Sequence, residues 1–235
     1  MAVEDVRREL RIAVYERDVP GLLRLLAGDA WPPDALQLVG DGLIDALSSG
    51  VPEAEEPARR CVAELRERRW DGDDVLAEAL EAGLGAEPIH TLRPVPVDLE
   101  IVAEALEGGF GDSGGAIDLA TGEFRPDFDS GYGDYDDDDD LEEREWLTIW
   151  PHGSHDGYRD MLVFIDDLDD PMIADLLSVA VQGRGAFRRF KDTLGRWPDR
   201  LASWFAFSDD RQRGRAREWL ADEGYTPVRA PSVEP

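Results

Sequence analysis

The sequence predicts an α+β protein, predominantly helical, with an N-terminal helical bundle followed by a small three-stranded antiparallel sheet packed with several helices. Three observations carry this. Residues 1–88 repeat apolar side chains at spacings of three and four, with proline or glycine between the runs, which is the periodicity of packed helices. Residues 116–119 (AIDL) and 123–125 (EFR) read as two strands about Ala120-Thr121-Gly122, the pattern of a hairpin whose glycine takes a left-handed position. Residues 146–150 (WLTIW) form a further short apolar run, apolar on both faces and so expected to be central or covered.

Taken in order, Val3, Val6, Leu10 and Val14 make the stripe of a first helix, ended by Asp18-Val19-Pro20, which also starts the next. Residues 21–27 form a short Leu-rich helix. Pro32-Pro33-Asp34 opens a third, with Leu36, Val39, Leu43 and Leu47 on one face. Pro52 and Pro57 flank the start of a fourth, which buries Val62 and Leu65 with Cys61. A fifth starts at Asp73 and ends at Gly83-Leu84-Gly85. The ten residues EPIHTLRPVP (87–96) hold three prolines, and residues 89–96 read as a linker between a bundle of residues 1–88 and a second domain of residues 97–229. There Asp98 caps a helix bearing Leu99, Val102, Ala103 and Leu106. After the three strands, one stripe holds Tyr158, Met161, Leu162 and Ile165. A helix capped by Asp170-Pro171 turns Ile173, Leu176, Leu177 and Ala180 inward. Phe187, Phe190 and Leu194 continue the core, Trp197-Pro198 breaks the chain, and two last segments carry Leu201, Trp204 and Phe205, then Ala216, Trp219 and Leu220. Residues 230–235 read as a frayed tail.

The 235 residues are enough for one large or two modest cores, and 42% hydrophobic content is globular. The net charge of −28 opposes wholesale binding to nucleic acid or anionic membranes and favours basic protein partners. No signal-like segment or membrane-length apolar run is present, and the single cysteine admits no internal disulfide, so the expectation is a cytoplasmic protein. Arg-rich, Lys-poor and Asn-free composition points to GC-rich coding, and the arginine preference carries no functional weight on its own.

Five segments, VDLEIVAEALE (97–107), IDLATGEF (117–124), GRGAFRRFKDTL (183–194), WFAFSDDR (204–211) and REWLADEGYTP (217–227), occur in the order seen in a bacterial family, uncharacterised protein family 0158 of the UPF series. Residues 97–227 resemble that family. The resemblance covers a little over half of the chain and implies no catalytic residue.

Two regions concentrate charge. The first is 183–196, where Gly183-Arg184-Gly185 precedes a helix with Arg188, Arg189 and Lys191; residues 184–217 hold ten bases against four acids. A helix start with unpaired N–H groups and nearby guanidinium forks suits an anion, either phosphate or single-stranded nucleic acid. The plainer reading, that Phe187 and Phe190 are core and the arginines solvated or paired with acids, has the larger weight.

The second is the acidic loop 127–145, dominated by Asp134, Asp136, Asp137, Asp138, Asp139, Asp140, Glu142 and Glu143; residues 112–145 hold 14 acids against two arginines. It suits a basic protein partner. Its acids also fall at calcium-loop spacings, but Asp139 stands where the turn needs glycine.

His152 and His155 are too few for a metal site, and their turn role outweighs ligation. Cys61 reads as a buried inert thiol. No motif calls for a cofactor or metal, and no nucleophile–base pair stands out. The expectation is therefore a non-catalytic interaction or regulatory protein, with anion or single-stranded nucleic-acid binding through 183–196 as the alternative.

Overall fold

The computed structural model describes residues 3–28, 31–126, 144–153 and 155–229. By contact the chain divides into two compact units, Met1–Ile89 with Gly157–Gly214, and His90–Asp156 with Arg215–Pro235. The first thus takes in the expected bundle of residues 1–88 together with helices from the expected second domain.

In the first unit, helices α1 (Val3–Tyr15), α2 (Val19–Leu26), α3 (Leu36–Ser48), α4 (Glu55–Arg68) and α5 (Asp73–Gly83) follow the apolar periodicity closely. Asp18 caps α2 by accepting from the Gly21 N–H at 2.9 Å, with Pro20 in the first turn. Their shared core includes Leu10, Leu22, Leu43, Cys61, Leu65 and Leu76, each at most 1% exposed. Burial, with the carboxylates of Glu64 and Asp210 nearby, raises the Cys61 pKa and keeps the thiol protonated. Cys61 is therefore the inert residue its position suggests.

The same unit holds α7 (His155–Asp166) from Gly157 onward, α8 (Pro171–Ala180), α9 (Ala186–Leu194) and the first part of α10 (Pro198–Asp222). Asp170 caps α8 by accepting from Met172 and Ile173 N–H groups. A second cluster forms here around Met161, Leu177, Phe190, Leu194 and Trp204, with Phe164 and Phe190 edge-on to the Trp204 ring at 5.3 and 4.7 Å. Such edge-to-face pairs add roughly 0.5–1.5 kcal/mol each beyond area burial.

Several expectations are corrected. The break expected at Trp197-Pro198 separates α9 from α10, but the two segments expected after it are one 25-residue helix, because no proline lies between Phe205 and Ala216 and the polar residues there continue the helix. Tyr158 and Leu162 of α7, Leu176 of α8 and Phe187 of α9 were expected inward and are exposed. In each helix the inward face is narrower than the apolar stripe, so the stripe's flank faces solvent.

In the second unit, β2 (Gly115–Asp118), β3 (Phe124–Pro126) and β4 (Trp146–Ile149) form the antiparallel sheet in the order β3-β2-β4. The central strand is β2, buried throughout; the WLTIW run expected to be central or covered is an edge, with Trp150 just beyond it exposed. Gly122 takes φ 73°, and a Cβ there would lie 1.7 Å from the Pro96 carbonyl oxygen, so glycine is required at this turn. Within the expected linker, β1 (Arg93–Val95) pairs in parallel with β5 (Tyr225–Pro227), a contact between residues too distant in sequence for local pattern to reveal. Asp98 caps α6 (Leu99–Leu106), which packs Val102, Leu106, Ile117 and Ile149 with Ala216 and Leu220 of α10. Among the described residues no helix is long and apolar enough to cross a membrane.

Candidate functional site

The chain between α8 and α9 turns through Gly183 and Gly185, both at φ 76°. No side chain caps the start of α9. The turn is instead held by Arg189, whose guanidinium reaches back over it. Nε donates to the Ala180 carbonyl at 3.0 Å, Nη2 to Gln182 and Gly183 at 2.5 and 3.4 Å, and Nη1 to the Arg184 carbonyl. The last carbonyls of a helix have no intrahelical donor, and a cation at that end also meets the negative end of the helix dipole. Arg189 thus closes α8 with its donors.

Gly183, Arg184, Gly185, Arg188 and Lys191 are exposed. Arg188, 89% exposed at its side chain, lies 3.6 Å from Asp192 one turn on, a solvated pair worth little. Lys191 Nζ stands 5.8 Å from the centre of the Phe205 ring. Phe187 and Phe205 are 36% and 46% exposed. The outer face of α9 with its neighbour on α10 therefore presents Phe187, Arg188, Lys191 and Phe205. Exposed rings beside cations form a surface suited to anionic groups with flat or apolar parts. The sequence pointed to the cations but assigned Phe187 to the core.

A second constellation was not foreseen. Arg68, at the end of α4, donates from Nη2 to Asp73 at 2.6 Å and from Nη1 to Asp210 of α10 at 2.6 Å. Asp210 also accepts from the Gln37 backbone N–H at 2.9 Å, while the Gln37 side-chain amide reaches Asp73. Next to Asp210, Arg211 pairs with Asp160 of α7 and approaches Asp71 at 3.6 Å. The Trp70 ring lies under both guanidinium groups, 4.0 Å from Arg68 and 5.2 Å from Arg211. Asp73, Asp160, Asp210 and Arg211 are all buried.

Burial drives the Asp210 pKa up to about 6, and Asp73 adds to the rise, against the pull of Arg68 and the Gln37 N–H. Burial alone would lower the Arg68 pKa, but hydrogen bonding and attraction from Asp73 and Asp210 raise it. Every charge here has a partner, so the arrangement ties α3, α4, α5, α7 and α10 together. Its only sequence signal was the DDR ending of WFAFSDDR.

The acidic candidates Asp134, Asp136, Asp137, Asp138, Asp139, Asp140, Glu142 and Glu143 lie outside the described residues, as does the calcium-loop pattern built on them. At the border of that stretch, Arg144 pairs with buried Asp118 at 3.1 Å. The N–H groups of Ala120 and Thr121, with Arg144, overcome the effect of burial and hold the Asp118 pKa down. The His152 N–H donates to the Leu106 carbonyl, and His155 begins α7 beside Asp156. Among the described residues no group of three or more His, Cys, Asp or Glu is placed to hold a metal ion.

Against known proteins, the sequence model of the uncharacterised protein family UPF0158 matches residues 130–235. A UPF0158 protein of Pseudomonas aeruginosa is 29% identical over 82 residues, covering 35% of this chain and 54% of that relative. Residues 130–235 of the chain are similar to the UPF0158 family. The chain matches about half the length of this curated relative. No solved structure matches the chain.

The UPF0158 match takes in residues 183–194, 204–211 and 217–227, and leaves residues 97–107 and 117–124 on its N-terminal side. It contains Asp160, Asp210 and Arg211, whereas Gln37, Arg68, Asp71 and Asp73 lie outside it. Family-matched side chains are thus the ones that hold the N-terminal helices of the first unit.

Proposed function

We propose that this chain is a cytoplasmic, non-catalytic interaction or regulatory protein, and that the outer face of α9 with Phe205 is one of its recognition surfaces. The observation that carries this reading is the exposure of Phe187 and Phe205 beside Arg188 and Lys191 in a chain of net charge −28. Isolated exposed aromatics are ordinary; two of them beside cations on one helix and its neighbour favour a partner segment with apolar side chains flanked by carboxylates. The acidic stretch around Asp134 and Asp136–Asp140 adds, through its formal charge, a preference for basic proteins.

A second reading, single-stranded nucleic acid, draws on the same rings, because bases stack on aromatics within a cationic groove. The engagement of Arg189 with carbonyl groups weighs against a phosphate fork built from Arg184, Arg188 and Arg189. The overall charge weighs against a long polyanion.

The test is affinity capture with tagged wild type and with the Phe205→Ala, Lys191→Glu variant, each with and without nuclease. A protein retained by wild type after nuclease and lost from the variant is the expected result. Retention of nucleic acid, lost from the variant, would establish the second reading. Equal capture by both proteins would place recognition elsewhere.

A further inference from the structure

Helix α8 has a second apolar face that its own unit leaves uncovered. Ile173, Leu177 and Ala180 point into the core, while Met172, Leu176 and Val179 are 63, 41 and 69% exposed. These three stand four and three residues apart, so they line one stripe about 10 Å long. Asp175 flanks the stripe, also exposed.

Charge is divided between the two ends of this helix. Asp166, Asp167 and Asp169 are exposed just before its start. Arg184 is exposed just after its end, and Arg189 is bound over the last carbonyls. The acidic end and the basic end are about equally far from Leu176, with Asp169 seven residues before it and Arg184 eight residues after.

We propose that this stripe is the contact surface for a second copy of the chain, with the two α8 helices antiparallel about a two-fold axis near Leu176. A two-fold contact must be self-complementary, the same patch meeting itself in reverse. An apolar centre with opposite charges at its two ends satisfies that condition in the antiparallel sense alone. A parallel pairing would set acid on acid and base on base. In the antiparallel pair, Asp169 of each copy faces the Gly183–Arg184 turn of the other, twice per dimer, and the helix dipoles run oppositely.

The helix is short, and the contact is smaller than the ~800 Å² per partner of a standard stable interface, so the dimer is weak and concentration-dependent. At physiological salt, screening over about 8 Å confines the repulsion of the −28 charge, leaving the local complementarity to act. The stripe consists of residues other than Phe187, Arg188, Lys191 and Phe205, and the inference does not rest on that reading.

Sedimentation velocity at 0.15 M salt over a concentration series to the submillimolar range tests the pairing. Wild type is expected to shift from monomer to dimer. Val179→Glu, at an exposed position and checked for folding by circular dichroism, raises the dimer dissociation constant at least about tenfold. Arg184→Glu alone and Asp169→Arg alone each weaken self-association, whereas an equimolar mixture of the two restores it as a heterodimer. A wild type that stays monomeric throughout, a dimer indifferent to Val179→Glu, or a mixture that associates no better than its components would each overturn the proposal.

Discussion

Asp210 is held as a buried carboxylate next to a second one, Asp73, with Arg68 between them. Its pKa of about 6 in the fold stands above the ordinary value of 3.8, so the folded state holds the proton more tightly than the unfolded chain. The stability that this proton preference contributes is fully present below pH ~4 and is lost as pH rises through 6. A rise of that size in a pKa corresponds to about 3 kcal/mol. Asp210→Asn removes that titration while keeping an acceptor for the Gln37 N–H. The wild type should therefore lose up to about 3 kcal/mol relative to Asp210→Asn between pH 4 and 7 in urea unfolding. A difference that stays flat with pH would show that Asp210 is ionised throughout. The groups facing it, Arg68, Asp73 and Cys61, sit on α4, at the start of α5 and on α4 again, so none of this was readable from neighbours in sequence. Periodicity identifies which residues turn inward, but a buried charge becomes intelligible only when its partners, 137 to 173 residues away, are brought to it.

At the scale of elements, α10 meets the turn before α5 at unusually short range. A Cβ on Gly214 would lie 2.2 Å from the Asp71 carbonyl oxygen, and one on Gly72 would lie 2.1 Å from the Gly214 oxygen. Both obstacles are backbone, which cannot swing aside as a side chain can. Gly214→Ala must therefore push α10 from the turn and loosen Arg211 from Asp71, with an expected loss of about 2–4 kcal/mol in chemical denaturation. A loss under ~0.5 kcal/mol would mean that the close approach is not needed. The helices α1 to α5 were legible because each is bounded by proline, glycine or a capping aspartate and striped at helical spacing. Helix α10 was read as two segments because the polar run Ser208–Arg215 interrupts its apolar spacing, although no proline there breaks the helix. The parallel pair β1–β5 left no local trace, since three-residue strands have too little pattern to stand out from a proline-rich connection. The outward position of Phe187 and Phe205 was hidden for a related reason. Helical spacing gives a stripe, and only the neighbouring helices decide how wide a part of it is covered.

On the scale of the whole chain, charge is sorted rather than spread. Fifty-three acids outnumber 25 bases, yet the cations that remain exposed on α9 stand beside two uncovered rings, and others are buried as ties between helices. The candidate recognition face was legible in the sequence as to its cations, Arg188 and Lys191, and not as to its rings. Arg189, a candidate binding cation in the sequence, spends its donors on closing α8. The family match covers the helices that carry both this face and the buried ties to the N-terminal half. The central claim is that the α9–α10 face meets a protein partner. Site-specific photo-crosslinking tests it most directly, with a benzophenone amino acid replacing Phe187 or Phe205 in the full chain in cells, and exposed Ile89 as the control position. The account predicts a discrete, nuclease-resistant protein adduct from Phe187 and Phe205 that is absent from Ile89. No adduct at either ring, or the same adducts from all three positions, would contradict it.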